Sequence, residues 1–210
     1  MRQLLIATSN AGKIKEIAHE IDLAGLHDAV KVIGLKDLPT APPQAVEDRP
    51  TFIGNASKKA LHYAQQSGVL TLADDSGLCV DALKGAPGVI SARYAGIEGG
   101  GHAADAANNA KVLQELENVP DDQRQAKFVC AMALASPQAV LSVMVDDVHG
   151  MMLRAPRGEN GFGYDPLFYF PEFKKTTAEL DMATKSRISH RGKALRRMLV
   201  WLKENLALIT

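Results

Sequence analysis

The chain has 210 residues, 46% hydrophobic and 23% charged, enough apolar mass for one large α/β domain or two small lobes. Its 24 basic and 24 acidic residues cancel to a formal net charge of zero, which argues against a broad basic face for a nucleic-acid polymer but allows a local basic patch. The longest apolar run, Phe128 to Ala135, is far shorter than the roughly 20 residues of a membrane helix, and Leu4-Leu5-Ile6-Ala7 is too short for a secretory core, so a cytoplasmic, non-membrane protein is expected.

Leu4–Ala7 reads as a short buried strand. Ile14, Ile17, Ala18 and Ile21 give helical spacing over 14–26. A second strand follows at 30–35, then a proline-rich loop over 37–50. Thr51 is the expected N-cap of a helix reaching about Gln66 and stopped by Gly68. The apolar run 69–73 is a strand that ends in Asp74-Asp75, with 78–83 as a candidate hairpin partner. A glycine-rich loop spans 85–101, and a helix over 103–116 should turn Ala110, Leu113 and Leu116 inward. Two long antiparallel strands are expected at 125–135 and 140–148, a glycine-rich loop at 157–165 and a strand at 167–170. Ser189 then caps a last helix through Leu206. This order predicts an α/β fold, a mixed sheet flanked by helices, in one domain over 1–210 without an independent linker. Cys79 and Cys130 sit in apolar runs without metal-ligand spacing and read as reduced core residues.

Four segments concentrate chemistry. Thr8-Ser9-Asn10-Ala11-Gly12-Lys13 places small polar residues, a glycine and a lysine at a helix start, where N–H groups and the lysine suit phosphate. It lacks the first glycine and the Ser/Thr of a Walker A loop, and an ordinary polar turn is the alternative. Asp74 and Asp75, at a strand end, require a cation or a shared proton. Magnesium suits such a place if a third carboxylate, Glu47 or Asp48, and a phosphate are near. Lys59 is either a phosphate contact or a solvated neighbour of Lys58. Asp-Ser-Gly also resembles half an aspartic-protease site, but a second copy is missing.

Gly161-Phe162-Gly163-Tyr164-Asp165-Pro166 lets backbone approach a flat ligand on which Phe162 could stack; a tight turn is the alternative. Finally, Lys185-Ser186-Arg187-Ile188-Ser189-His190-Arg191-Gly192 puts His190 and Arg191 at a helix start, against the dipole, so a ligand or a carboxylate should compensate them.

Together with Thr51–Ala56 and Pro87–Tyr94, these segments resemble, in order and nearly end to end, the inosine triphosphate pyrophosphatase family. The resemblance implies hydrolysis of non-canonical purine nucleoside triphosphates to monophosphate and pyrophosphate, an elongated two-lobed fold with a central nucleotide cleft, a homodimer and magnesium dependence. It implies that Asp75 is general base and metal ligand, that Glu47 holds metal, and that Asp74 is a metal or supporting carboxylate. It implies that Thr8, Ser9, Asn10, Ala11, Gly12, Lys13 and Lys59 meet the triphosphate. Ser76, Phe162, Gly163, Tyr164, Asp165, Lys185, His190 and Arg191 match nucleotide-contacting positions. Two departures stand out: Gly54 where glutamate is frequent, and Asn160 where a second glycine is common.

Purine selection is expected to turn on the 6-position, where a keto oxygen accepts and an amino group donates. A buried donor, Arg191 or a loop N–H, left unpaired against adenine would discriminate strongly. The competing readings are a nucleotide-binding regulator without turnover and a related pyrophosphatase acting on other nucleotides.

Overall fold

Strands and helices alternate through the first third of the chain as the hydrophobic spacing predicts. In the computed structural model, which describes residues 1–8, 11–99 and 101–209 and only the backbone of Ala11, these are β1 (Arg2–Ile6), α1 (Ala11–Leu23), β2 (Val30–Gly34), α2 (Phe52–Ser67) and β3 (Leu70–Val80). β1 lies between β2 and β3 and runs parallel to both, with Leu5 opposite Ile33 on one side and Thr71 on the other. The chain therefore steps to one side of β1 and then to the other. Open α/β sheets bind ligands at such a reversal, beyond the carboxyl ends of the strands.

The remaining elements are α3 (His102–Glu115), β4 (Gln125–Ala135), β5 (Val140–Met152), β6 (Phe168–Phe170), β7 (Lys175–Thr176), α4 (Met182–Ile188) and α5 (His190–Asn205). The strands form one mixed seven-stranded sheet in the order β2-β1-β3-β4-β5-β6-β7, with β5/β6 and β6/β7 antiparallel. Among the described residues no helix is long and apolar enough to cross a membrane.

Chain contacts divide the molecule into two units. The first comprises Met1–Asp75, Cys130–Asp146 and Arg191–Thr210. Its sheet is covered on both faces. Leu4, Ile6, Leu72 and Met132 pack with Ile17 and Ile21 of α1 and Leu195 and Leu199 of α5. On the other face, Leu5, Ala7, Ala73, Ala131 and Ala133 pack with Ala56, Ala60 and Ala64 of α2. This alternation is the two-residue period of a strand buried on both sides. The second unit comprises Ser76–Val129 and Asp147–His190, and its core includes Leu78, Val112, Leu116, Phe128 and Phe168.

Three expectations need correction. β3 does not end at the aspartates: it continues to Val80, because apolar residues return at Leu78 and Val80, both fully buried, so 78–80 is the same strand and not a hairpin partner. In α3 the buried stripe is Ala104, Asn108 and Val112, followed by Leu116; Ala110 is exposed and Leu113 only partly buried. The segment 185–188 lies inside α4, which opens with the Asp181 side chain accepting the Thr184 N–H, and Ser189 closes that helix just before α5. Cys79 and Cys130 are both free; Cys130 is buried and Cys79 partly so.

Candidate active site

The packing of α2 prepares the site. Thr51 caps the helix by accepting the Gly54 N–H at 3.0 Å, and Gly68 ends it in the left-handed conformation. Its inward face is alanine, opposite further alanines on the sheet. Small residues let helix and sheet approach closely, which brings the longer side chains of the same face, Asn55 and Lys59 one turn apart, against β3.

There, Asn55 Nδ2 donates to Asp75 Oδ2 at 3.0 Å, while Asn55 Oδ1 accepts the Arg49 backbone N–H at 2.8 Å. Both ends of a fully buried amide are thus used, and its orientation is fixed by the backbone partner. The second contact also ties the loop before α2 to the aspartate. In that loop Glu47 accepts Lys59 Nζ at 2.6 Å, whereas the more exposed Asp48 turns to Lys58 at 2.7 Å. Burial pushes the Asp75 carboxyl up to about 6, with the Glu47 and Asp74 charges adding to it and Asn55 and Lys59 opposing it. For Lys59 burial works against the charge, but the carboxylates of Asp74, Glu47 and Asp75 hold its ammonium above the ordinary range.

Asp74, one residue earlier, points to the opposite face of β3. Lys13 of α1 donates to its Oδ1 at 3.1 Å and Oδ2 at 2.8 Å, and Arg191 of α5 reaches Oδ2 at 3.2 Å. Burial would raise this carboxyl; Lys13 and Arg191 override it and hold it far below the ordinary carboxylate range. Arg191 also reaches Glu16 at 3.4 Å. The expected compensation of a cation at a helix start is therefore supplied by carboxylates. The pair read as two charges at a strand end is thus mid-strand and split by the pleat, one carboxylate to each face.

In the second unit, Asp165 organises the glycine-rich loop. It is buried, its Oδ2 accepts the Phe162 N–H at 2.9 Å, and the same oxygen meets Lys185 Nζ at 2.7 Å. Gly161 has φ +86°, and a Cβ there would stand 2.1 Å from Asp165 Oδ2, so only glycine fits. Tyr164 is buried with its hydroxyl on the Ser91 carbonyl at 2.8 Å, while Phe162 stays 38% exposed beneath the Lys185 ammonium, 5.1 Å from the ring centre. His190 stacks on Phe128, with ring centres 5.0 Å apart. Ser76 continues β3 and is partly buried.

Of the first loop, Thr8 follows β1 and Gly12 lies in the first turn of α1; Ser9 and Asn10 lie outside the described residues, as does the Ala11 side chain. The first unit brings together Lys13, Asp74 and Arg191 on one face of β3 and Glu47, Lys59 and Asp75 on the other; the second brings together Phe162, Asp165 and Lys185. Sequence reading missed Asn55, Asp105 and Asn109. The signal was available: Asn55 and Lys59, like Asp105 and Asn109, are polar residues four apart on one helix face.

The sequence profile of the Ham1 family matches residues 4–201. The chain belongs to the Ham1 family. A Desulforamulus reducens protein named dITP/XTP pyrophosphatase is 50% identical over 197 residues, 94% of each chain. A Geobacter sulfurreducens protein of the same name is 49% identical, over 93% of this chain and 94% of its own. A HAM1 protein from Coxiella burnetii superposes with a TM-score of 0.84 at 41% identity, covering 97% of this chain and 100% of the other. A structure from Mycobacterium abscessus described as nucleoside-triphosphatase / dITP/XTP pyrophosphatase gives 0.72 at 39% identity, covering 94% and 98%. The mixed α/β sheet is the fold of these Ham1 structures.

Proposed function

We propose that this Ham1 chain is a nucleoside-triphosphate pyrophosphatase that hydrolyses deaminated purine nucleotides — dITP, inosine and xanthosine triphosphates — to monophosphate and pyrophosphate, clearing them from the nucleotide pool as a cytoplasmic homodimer. The observation that carries it is Asp75: a buried carboxyl raised to about 6, braced by Asn55 and facing Lys59 and Glu47. A base tuned near neutral pH both takes a proton from water readily and stays mostly ionised. The names of the relatives point the same way.

The donor set fits magnesium. The ligands on the Asp75 face are carboxylate oxygens, which suit a hard cation. Among the described residues no three His, Cys, Asp or Glu side chains form a metal-binding group, and magnesium takes one or two carboxylates plus phosphate oxygens and water. Glu47 and Asp75 would hold it, and it would neutralise the triphosphate and polarise the attacked phosphorus. Asp74 is better assigned as an anchor, since both its oxygens are taken by Lys13 and Arg191.

In the reaction, a water oxygen bonds to the α-phosphorus as Asp75 accepts the water proton. The bond from that phosphorus to the oxygen bridging toward the β-phosphorus breaks, and pyrophosphate leaves. Lys59, with Lys13, Gly12 and Thr8, offers positive charge and N–H groups to the leaving group, and Ser9, Asn10 and Ala11 belong to the same proposed contact set. For the base, the reading rests on the second unit: Phe162 offers an exposed ring face, the loop through Gly163, Tyr164 and Asp165 offers backbone polar groups, and Ser76, Lys185 and His190 complete the set, with Arg191 the remaining candidate donor.

The test is pyrophosphate release with magnesium across inosine, xanthosine, guanosine, adenosine and pyrimidine triphosphates. Faster turnover of inosine and xanthosine triphosphates is expected. Release of orthophosphate alone would overturn the reading.

A further inference from the structure

Behind the Phe162 loop, α3 grips a single residue from both sides. Asp105 Oδ2 accepts the Gly163 N–H at 2.9 Å, and Asn109 Nδ2 donates to the Gly163 carbonyl at 2.9 Å. The two side chains stand one turn apart on the helix, the spacing that puts both on one face. The contact dictates the amide's orientation. Asn109 Oδ1 is buried without a hydrogen-bond partner among the described residues, and a flipped amide would instead set that oxygen against the carbonyl. A side chain that leaves one polar end unsatisfied is committed to the other.

α3 is itself anchored. Asn108 accepts the Ala95 N–H at 2.7 Å and donates to the Ala92 carbonyl at 3.2 Å, beside the Ser91 carbonyl that receives Tyr164. Helix, 91–95 segment and loop are therefore joined in one hydrogen-bonded frame. Within it Asp165 holds the Phe162 N–H, while the peptide groups at Gly163 are held by α3; Gly161 and Gly163 both have positive φ, at +86° and +60°, and glycine leaves such positions alternatives once a restraint is removed.

We propose that Asp105 and Asn109 are positioning residues for base selection. By fixing the peptide groups on both sides of Gly163, they hold the loop's polar groups and the Phe162 ring in one arrangement. Rejection of a mismatched base by hydrogen bonding requires donors and acceptors that cannot swing to suit it. A loop released from α3 would adapt to inosine and adenosine alike. The inference rests on the reading of the Phe162 loop as the base site.

The experiment compares Asp105→Ala, Asp105→Asn, Asn109→Ala and Phe162→Ala with the parent. It measures kcat and KM for inosine and adenosine triphosphates with magnesium, and thermal unfolding confirms that each variant is folded. Asp105→Ala and Asn109→Ala should lower the inosine-to-adenosine ratio of kcat/KM by at least about tenfold, or about 1.4 kcal/mol. The change should fall mainly on KM, raised for inosine triphosphate and lowered for adenosine triphosphate. Asp105→Asn keeps an acceptor oxygen for the Gly163 N–H and should retain the parent ratio, which a merely destabilising role would not predict. If Asp105→Ala and Asn109→Ala are folded and keep the parent ratio while Phe162→Ala lowers it, the positioning role is wrong and the base-loop reading stands. If Phe162→Ala also leaves the ratio unchanged, both fall.

Discussion

Asp74 and Asp75 are neighbours in sequence, both buried and in the same strand, yet their surroundings are opposite. On the α1/α5 face, Asp74 meets Lys13 and Arg191, which hold its carboxyl far below the ordinary range. On the α2 face, Asp75 meets an amide, a lysine shared with Glu47, and other carboxylates, and its proton is held to about pH 6. On the proposed reading, one carboxylate anchors the architecture and the other is the reactive group. The pleat of a strand is enough to separate them, since adjacent side chains point to opposite faces and draw their partners from different helices.

The comparison breaks first on activity. Asp75→Asn should lower kcat by about 10²–10⁴-fold, the range for loss of a general base, measured as pyrophosphate release; near-parent turnover would reassign the base. Asp74→Asn should act mainly on stability. It leaves Lys13 and the buried Arg191 without their shared carboxylate, a loss of about 3–5 kcal/mol, read from urea unfolding. A cost under about 1 kcal/mol would mean that Glu16 suffices as a partner.

A pH series sharpens the contrast. The folded-state value for Asp75 lies above its ordinary 3.8, so between about pH 4 and 6 the folded chain holds a proton that the unfolded chain has lost. Stability of the metal-free protein from this group is therefore fully present below pH 4, falls as pH rises to about 6 and is flat above; the rise corresponds to about 3 kcal/mol. Asp75→Asn should remove that slope and be more stable than the parent at pH 8, opposite in sign to Asp74→Asn. The smallest effect is expected from Thr51→Ala, about 1 kcal/mol for a lost N-cap. Its extra consequence would be a looser Asn55–Asp75 contact, visible as a modest fall in kcat.

Much of the fold was legible because its signals are local. Thr51 and Gly68 bound α2, and the apolar spacing of Ile14, Ile17 and Ile21 marks α1. What failed was tertiary in origin. Two aspartates, a serine and a glycine read as a strand stop, but Asp74 and Asp75 find partners on both faces and the strand runs on. Ala110 fits an apolar spacing, yet the helix turns Asn108 inward because its amide has backbone groups of 92 and 95 to bind. In the candidate site, residue types alone could raise Asp75, Lys59 and Glu47. They could not say that Asn55 joins the aspartate to the preceding loop, because that contact exists only once α2 has docked.

Gly54 leaves room that the neighbouring loop uses. A Cβ at this position would meet the Cβ of Arg49 at 2.8 Å. The loop occupies the space that a side chain at 54 would need, and from there the Arg49 N–H reaches Asn55 Oδ1 at 2.8 Å. A side chain at 54 and the present course of the loop at 49 therefore exclude one another. A glutamate placed at 54 alone is therefore expected to push the loop outward and slacken the brace on Asp75, a harmful change unless the loop changes with it.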